Sequence, residues 1–222
     1  MSLHDKKYIV IRKILSEELT KVYYDYMVNK EKVLITLIDN NSINPFSRDY
    51  GYFNDPQVPG AYCKYGDLLF DNMMIDLKPK IEKETGLELT EMYTFARNYR
   101  QQHELRRHKD RGSCEISGTI NLGGDLWPIY VDPNPENGYY DPDDPQHYIS
   151  SGEKGVEVLL EPGDCMIYLG CECEHWRNPL LDKFCSQVFI HYRQTKDIKN
   201  NEDLWDTRLG PGMPDYTKKI NS

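Results

Sequence analysis

Between residues 87 and 193 the chain is written in short runs of β-branched and aromatic residues, each cut off by Pro, Gly, Asn or Asp. Val156 to Tyr168 is the clearest case: an apolar run, a Glu161-Pro162-Gly163-Asp164 turn, then a second apolar run. Runs of this length and composition read as strands joined by tight turns. Ahead of them lie two segments with helical spacing. Helices first and many short strands afterwards indicate an α+β chain with a double-stranded β-helix core, a cupin-like jelly roll flanked by N-terminal helices.

At 222 residues the chain is long enough for one full core. We read 1–222 as a single domain: 1–86 as helical support and loop, 87–193 as the jelly-roll core, and 194–222 as a C-terminal tail. Ser16 followed by Glu17 and Glu18 starts a helix, and Leu19, Val22, Tyr23, Tyr26 and Met27 carry its apolar face over 16–30. Lys32 to Ile38 reads as a short strand. Residues 39–62 read as a long loop, a substrate-side lid or an ordered wrap, with Tyr50, Tyr52 and Phe53 as candidate contacts. A helix over 67–85 stops at Gly86, with Pro79 kinking or interrupting it. Strands are expected at 88–99, 114–122, Trp127–Val131, 155–161, 164–169 and 183–193. Residues 132–154 form an acidic loop whose D-P-D-D lacks the alternating ligands of a calcium-binding hand. The polar tail from Gln194 wraps the surface or frays.

Composition narrows the function. A net charge of −9 argues against a general nucleic-acid surface. No run approaches a membrane span, and the N-terminus lacks an apolar signal core, so the expected location is cytoplasmic, with neither nucleic acid nor membrane as a partner. The six cysteines are expected to be free thiols, since Cys171-x-Cys173 has no second pair of ligands for zinc.

The chemistry concentrates in His108-Lys109-Asp110 and, far down the chain, His175. Residues i and i+2 of an extended segment point the same way, so His108 and Asp110 can face one metal. His175 must then arrive from another strand. Two histidines and one carboxylate hold iron on one face and leave positions open for other ligands. A cluster of Arg97, Arg100, Arg106, Arg107, Lys109 and Arg111 surrounds the first pair. Arg106 and Arg107 read as a solvated strand end, whereas alternation puts Arg97 on the face of Tyr99.

These motifs resemble the Fe(II)/2-oxoglutarate-dependent dioxygenases, and within them the prolyl 4-hydroxylase-like branch. The resemblance covers about residues 87–193. It implies His108, Asp110 and His175 as metal ligands and, with them, the catalytic centre. The segment Asp182-Lys183-Phe184-Cys185-Ser186-Gln187-Val188-Phe189-Ile190-His191 is similar to that branch's T-K-W-S-x-x-x-W-I-H. The match makes Lys183 the anchor for 2-oxoglutarate, with Tyr99 as a second contact. A further tyrosine usual in the family is replaced by Leu105. The implied requirements are Fe(II), 2-oxoglutarate and O₂, with ascorbate as an accessory reductant. The implied reaction is hydroxylation of a C–H bond in a peptidyl proline or similar substrate. Asp110 stands where related halogenases carry a small residue, which speaks for hydroxylation. Arg177, Arg97, Tyr50 and Tyr52 are the candidate substrate contacts. Three alternatives stay open: an amino-acid-like small-molecule substrate, an iron enzyme needing no 2-oxoglutarate, and a jelly-roll binding module without turnover.

Overall fold

A computed structural model describes residues 2–44, 46–199, 201–214, 216 and 217, the side chains of 201–203 excepted. The chain opens with α1 (Leu3–Lys6), β1 (Tyr8–Ile11), α2 (Glu17–Asp39), β2 (Tyr62–Tyr65) and α3 (Leu68–Thr85). The strands β3 (Leu89–Arg100), β4 (Leu105–His108), β5 (Ile116–Gly124) and β6 (Ile129–Asp132) follow. A small hairpin of β7 (Tyr139–Tyr140) and β8 (Tyr148–Ile149) precedes β9 (Val156–Val158), β10 (Cys165–Leu169), β11 (Glu174–Arg177) and β12 (Phe184–Gln194).

Two antiparallel sheets make the body. The larger runs β1-β10-β5-β12-β3-β2 and the smaller β4-β11-β6-β9. Apart from β3 and β2, neighbours in each sheet are not consecutive strands, the interleaving expected of a jelly roll. Its long central pair, β12 and β3, stays in register from Phe184 opposite Arg100 to Gln194 opposite Leu89, with one irregularity near His191. Between the sheets, Leu105 of β4 packs with Tyr99 of β3, Phe189 of β12 and Trp127. The helices cover the larger sheet: Glu31 of α2 takes the Asn98 amide at 2.7 Å, and Met74 of α3 accepts the Tyr192 hydroxyl at 2.6 Å.

Three expectations need correction. Lys32–Ile38 is not a strand but the second half of α2. The helical face continues through it, since Tyr23, Met27, Glu31 and Leu34 are buried one above another. Pro79 does not interrupt α3, which runs unbroken from Asp67, its N-cap, to Gly86 in a left-handed conformation. The region before residue 87 is not support alone, because β1 and β2 form both edges of the larger sheet. The tail is fastened as well as wrapped: Arg208, fully buried, pairs with buried Asp71 at 2.9 Å. No helix among the described residues is long and apolar enough to cross a membrane.

Candidate metal and oxidation site

The smaller sheet brings the three predicted ligands together. His108 ends β4 and His175 lies directly opposite it on β11. Asp110 follows two residues on, its backbone N–H donating to the carbonyl of Gly170 at 2.8 Å. A Cβ at Gly170 would lie 2.5 Å from the Asp110 carboxylate, so only glycine leaves that carboxylate its place. Asp110 Oδ1 is 3.6 Å from His108 Nε2 and 3.5 Å from His175 Nε2. One donor atom from each of the three lies within 4.8 Å of the others.

The surroundings suit a divalent metal. His108 Nδ1 is 2.8 Å from the Arg106 carbonyl and His175 Nδ1 is 3.0 Å from the Cys173 carbonyl. A carbonyl accepts, so each Nδ1 carries the proton and each Nε2 offers its lone pair to the centre. Burial first, and then the neighbouring His175, lower the His108 pKa to about 4. Asp110 titrates below the usual carboxylate range: burial opposes this, but His175 and His108 outweigh it. Neutral imidazoles and an ionised carboxylate are the protonation states a metal needs. Ser117 donates to Asp110 Oδ2 at 2.6 Å and lies 3.0 Å from His191 Nδ1, holding the carboxylate from behind. A second group, Asp110, Cys114 and His191, also gathers. Burial pushes the Cys114 thiol well up, so it stays protonated and is the weaker ligand.

A cavity of about 320 Å³ opens beside the three ligands, lined also by Arg97, Tyr168, Phe189 and His191. Arg97 is buried within it, as its alternation with Tyr99 suggests, and pairs with Asp55 at 2.8 Å. Gln57 lies across the same edge, donating from Nε2 to His108 Nε2 at 3.1 Å while its Oε1 accepts from Arg97 at 3.0 Å. Loop 41–61 therefore does reach the cavity, through Asp55, Pro56 and Gln57. Tyr50, Tyr52 and Phe53 do not line it. Tyr50 is exposed, Tyr52 bridges to Cys63 beneath Arg48, and Phe53 packs on Tyr62.

The proposed co-substrate residues lie apart from the cavity wall. Lys183 is exposed just before β12, its backbone N–H held by Asp125 at 2.9 Å. Tyr99 is fully buried against Trp127, its hydroxyl 3.4 Å from Arg97. Arg177 is also fully buried, between the sheets. Arg107 is less solvated than expected, since it stacks 3.4 Å over Trp176 and donates to Glu174. Residues that sequence reasoning passed over are Asp55, Gln57, Ser117 and Tyr168. His191 stood inside the quoted motif without a role. For Ser117 and Tyr168 the only signal was membership in the predicted strands.

No protein-family model matches the chain, and no curated protein matches it in sequence. Solved structures do match. A prolyl 4-hydroxylase from Pseudomonas putida is 15% identical, with 86% of this chain and 95% of that one aligned and a TM-score of 0.56. HygX from Streptomyces hygroscopicus, solved with nickel, 2-oxoglutarate and hygromycin B, is 14% identical over 87% and 85%, with a TM-score of 0.60. A prolyl hydroxylase from Trichoplax adhaerens, solved with a hypoxia-inducible-factor degradation-domain peptide fragment, is 11% identical over 87% and 86%, with a TM-score of 0.53. In its two interleaved sheets this chain has the fold of the 2-oxoglutarate/Fe(II) oxygenases.

Proposed function

We propose that the chain is an Fe(II)- and 2-oxoglutarate-dependent dioxygenase that hydroxylates a C–H bond. The observation that carries the reading is the convergence of His108, Asp110 and His175, each in the protonation or tautomeric state a metal requires, at the edge of a cavity. His108, Asp110 and His175 would hold the iron, which would supply the coupling of O₂ to decarboxylation of 2-oxoglutarate, with succinate, CO₂ and a hydroxylated product as the outcome. The chain's own residues do the rest. Ser117 fixes the Asp110 carboxylate, and the Arg106 and Cys173 carbonyls fix the two rings. Tyr168, Phe189 and Leu105 give the cavity apolar walls that limit water around the reacting atoms.

A peptidyl proline or a similar residue is one substrate class. A small polar, amino-acid-like substrate is the second reading, favoured by the cavity's size and by Arg97 and Asp55 on its wall. Succinate release with proline-containing peptides and with free amino acids separates them.

The test of the chemistry is anaerobic titration of Fe(II) with 2-oxoglutarate, following the weak visible charge-transfer band of the chelate. The band is expected in wild type only when both are present, and it is expected to vanish in His108→Ala. A folded, metal-loaded protein without the band would refute the reading.

A further inference from the structure

Three long cations stand on the cavity wall: Arg97, Lys109 and Arg111. Arg111 is held by Asp206, and Lys109 donates to the Pro135 carbonyl at 2.7 Å. Arg97, on β3, differs in what it holds. Its two terminal nitrogens take one oxygen each from loop 41–61: Nη1 donates to Gln57 Oε1 at 3.0 Å and Nη2 to Asp55 Oδ1 at 2.8 Å. Two acceptor oxygens side by side on a planar fork are what a single carboxylate offers. Here two different loop residues supply them. The other contacts of the guanidinium are Cys63 Sγ at 3.2 Å and the Tyr99 hydroxyl at 3.4 Å. The loop oxygens thus occupy the place of one anion.

The position of the fork sets what such an anion would carry. Gln57 accepts from Arg97 through Oε1 and donates to His108 Nε2 through Nε2 at 3.1 Å. One amide group spans the gap, so the guanidinium lies within about 8 Å of the His108 nitrogen that faces the metal position. A guest held there by a carboxylate keeps its nearby carbons beside the ligand cluster. Asp55 supplies the second half of the recognition. Among the described residues lining the cavity only Asp55 and Asp110 are carboxylates, and Asp110 belongs to the ligand set. The Asp55 side chain is 16% exposed. Turned off Arg97 by a guest carboxylate, it would be left as an unpaired charge in the wall unless the guest also brought a cation. An ammonium on the carbon next to the carboxylate meets that need.

We propose that Arg97 and Asp55 together form the seat of a zwitterion, and that the substrate is a free α-amino acid rather than a residue within a peptide. Arg97 takes the carboxylate in place of the two loop oxygens, and Asp55 takes the ammonium. A residue inside a peptide has neither charge, because both its ends are joined in amides. The pair is neutral before the guest arrives, and a zwitterion leaves it neutral afterwards. The assignment rests on the dioxygenase reading above and names the substrate class of that same site.

Calorimetric titration of the nickel-loaded protein saturated with 2-oxoglutarate, which binds without turning over, tests this with the common L-amino acids as probes, one at a time. At least one should bind. Its α-amide, which lacks the carboxylate, and its N-acetyl derivative, which lacks the ammonium, should each bind at least about tenfold more weakly. Arg97→Met should lose a similar factor for the amino acid while its affinity for 2-oxoglutarate stays that of wild type. Asp55→Asn should lose it for the amino acid and not for the N-acetyl derivative. An ion pair that merely fastens the loop would let the amide and the N-acetyl compound bind as the amino acid does. Such equal binding by wild type would overturn the assignment even if Arg97→Met failed to fold. Binding of 2-oxoglutarate without binding of any amino acid, or loss of 2-oxoglutarate affinity in Arg97→Met, would overturn the assignment alone. Nickel binding with no 2-oxoglutarate binding at all would overturn the dioxygenase reading and this assignment together.

Discussion

At the scale of single residues, the site works by holding bases in their unprotonated state. Burial lowers the pKa of His108 and of His191 from 6.5 to about 4. Between those values the unfolded chain binds protons that the folded chain refuses, so stability falls as pH falls through this window. Each histidine contributes a slope of up to about 1.4 kcal/mol per pH unit. Asp110 does not oppose the trend, because a lowered carboxylate loses its stabilising contribution only at still lower pH. Thermal melts of the metal-free protein with a chelator present should therefore drop steadily from about pH 6.5 to about pH 4. A flat profile across that range would contradict the burial of these rings as neutral groups.

At the scale of elements, the tail is tied into α3. Asp71 receives Arg208 at 2.9 Å, the Thr94 hydroxyl at 2.7 Å and the Gly212 N–H at 2.8 Å, all within the interior. Arg208→Met would leave that carboxylate buried without its cation. The expected loss is about 3–5 kcal/mol in denaturant melts, with faster hydrogen exchange over 204–214. Elements also show what the sequence could convey. The long strands β3, β5, β10 and β12 were legible because their alternation or apolar run extends over several residues. β4 (Leu105–His108) and β11 (Glu174–Arg177) were not, being four residues each and mostly polar or charged. They are held by contacts between distant residues, such as Arg107 on Trp176. Two ligands were legible all the same, because His108 at the end of β4 and Asp110 just beyond it carry their spacing locally. Lys183 lies exposed before β12 and off the cavity lining for the opposite reason: a motif fixes order along the chain but not which side of a sheet edge a side chain leaves. Lys32–Ile38 was misread because a short apolar run satisfies both periods until the buried face of the preceding turns is followed through it.

At the scale of the whole molecule, the larger sheet and its helices form the support, and the smaller sheet with its loops carries the candidate ligands. The ligands come from β4, the segment after it, and β11, while loop 41–61 closes over them from the far side of the sequence. That closure uses the very lone pair a metal would take, since Gln57 donates to His108 Nε2. Loop and ion are thus rivals for one atom. Gln57→Ala should raise nickel affinity about fivefold, the worth of roughly one hydrogen bond. In wild type, nickel should speed hydrogen exchange in residues 53–61; no change in either measurement would break the link. A loop that lets go when the ion arrives would impose an order of filling on the site: ion first, guest second.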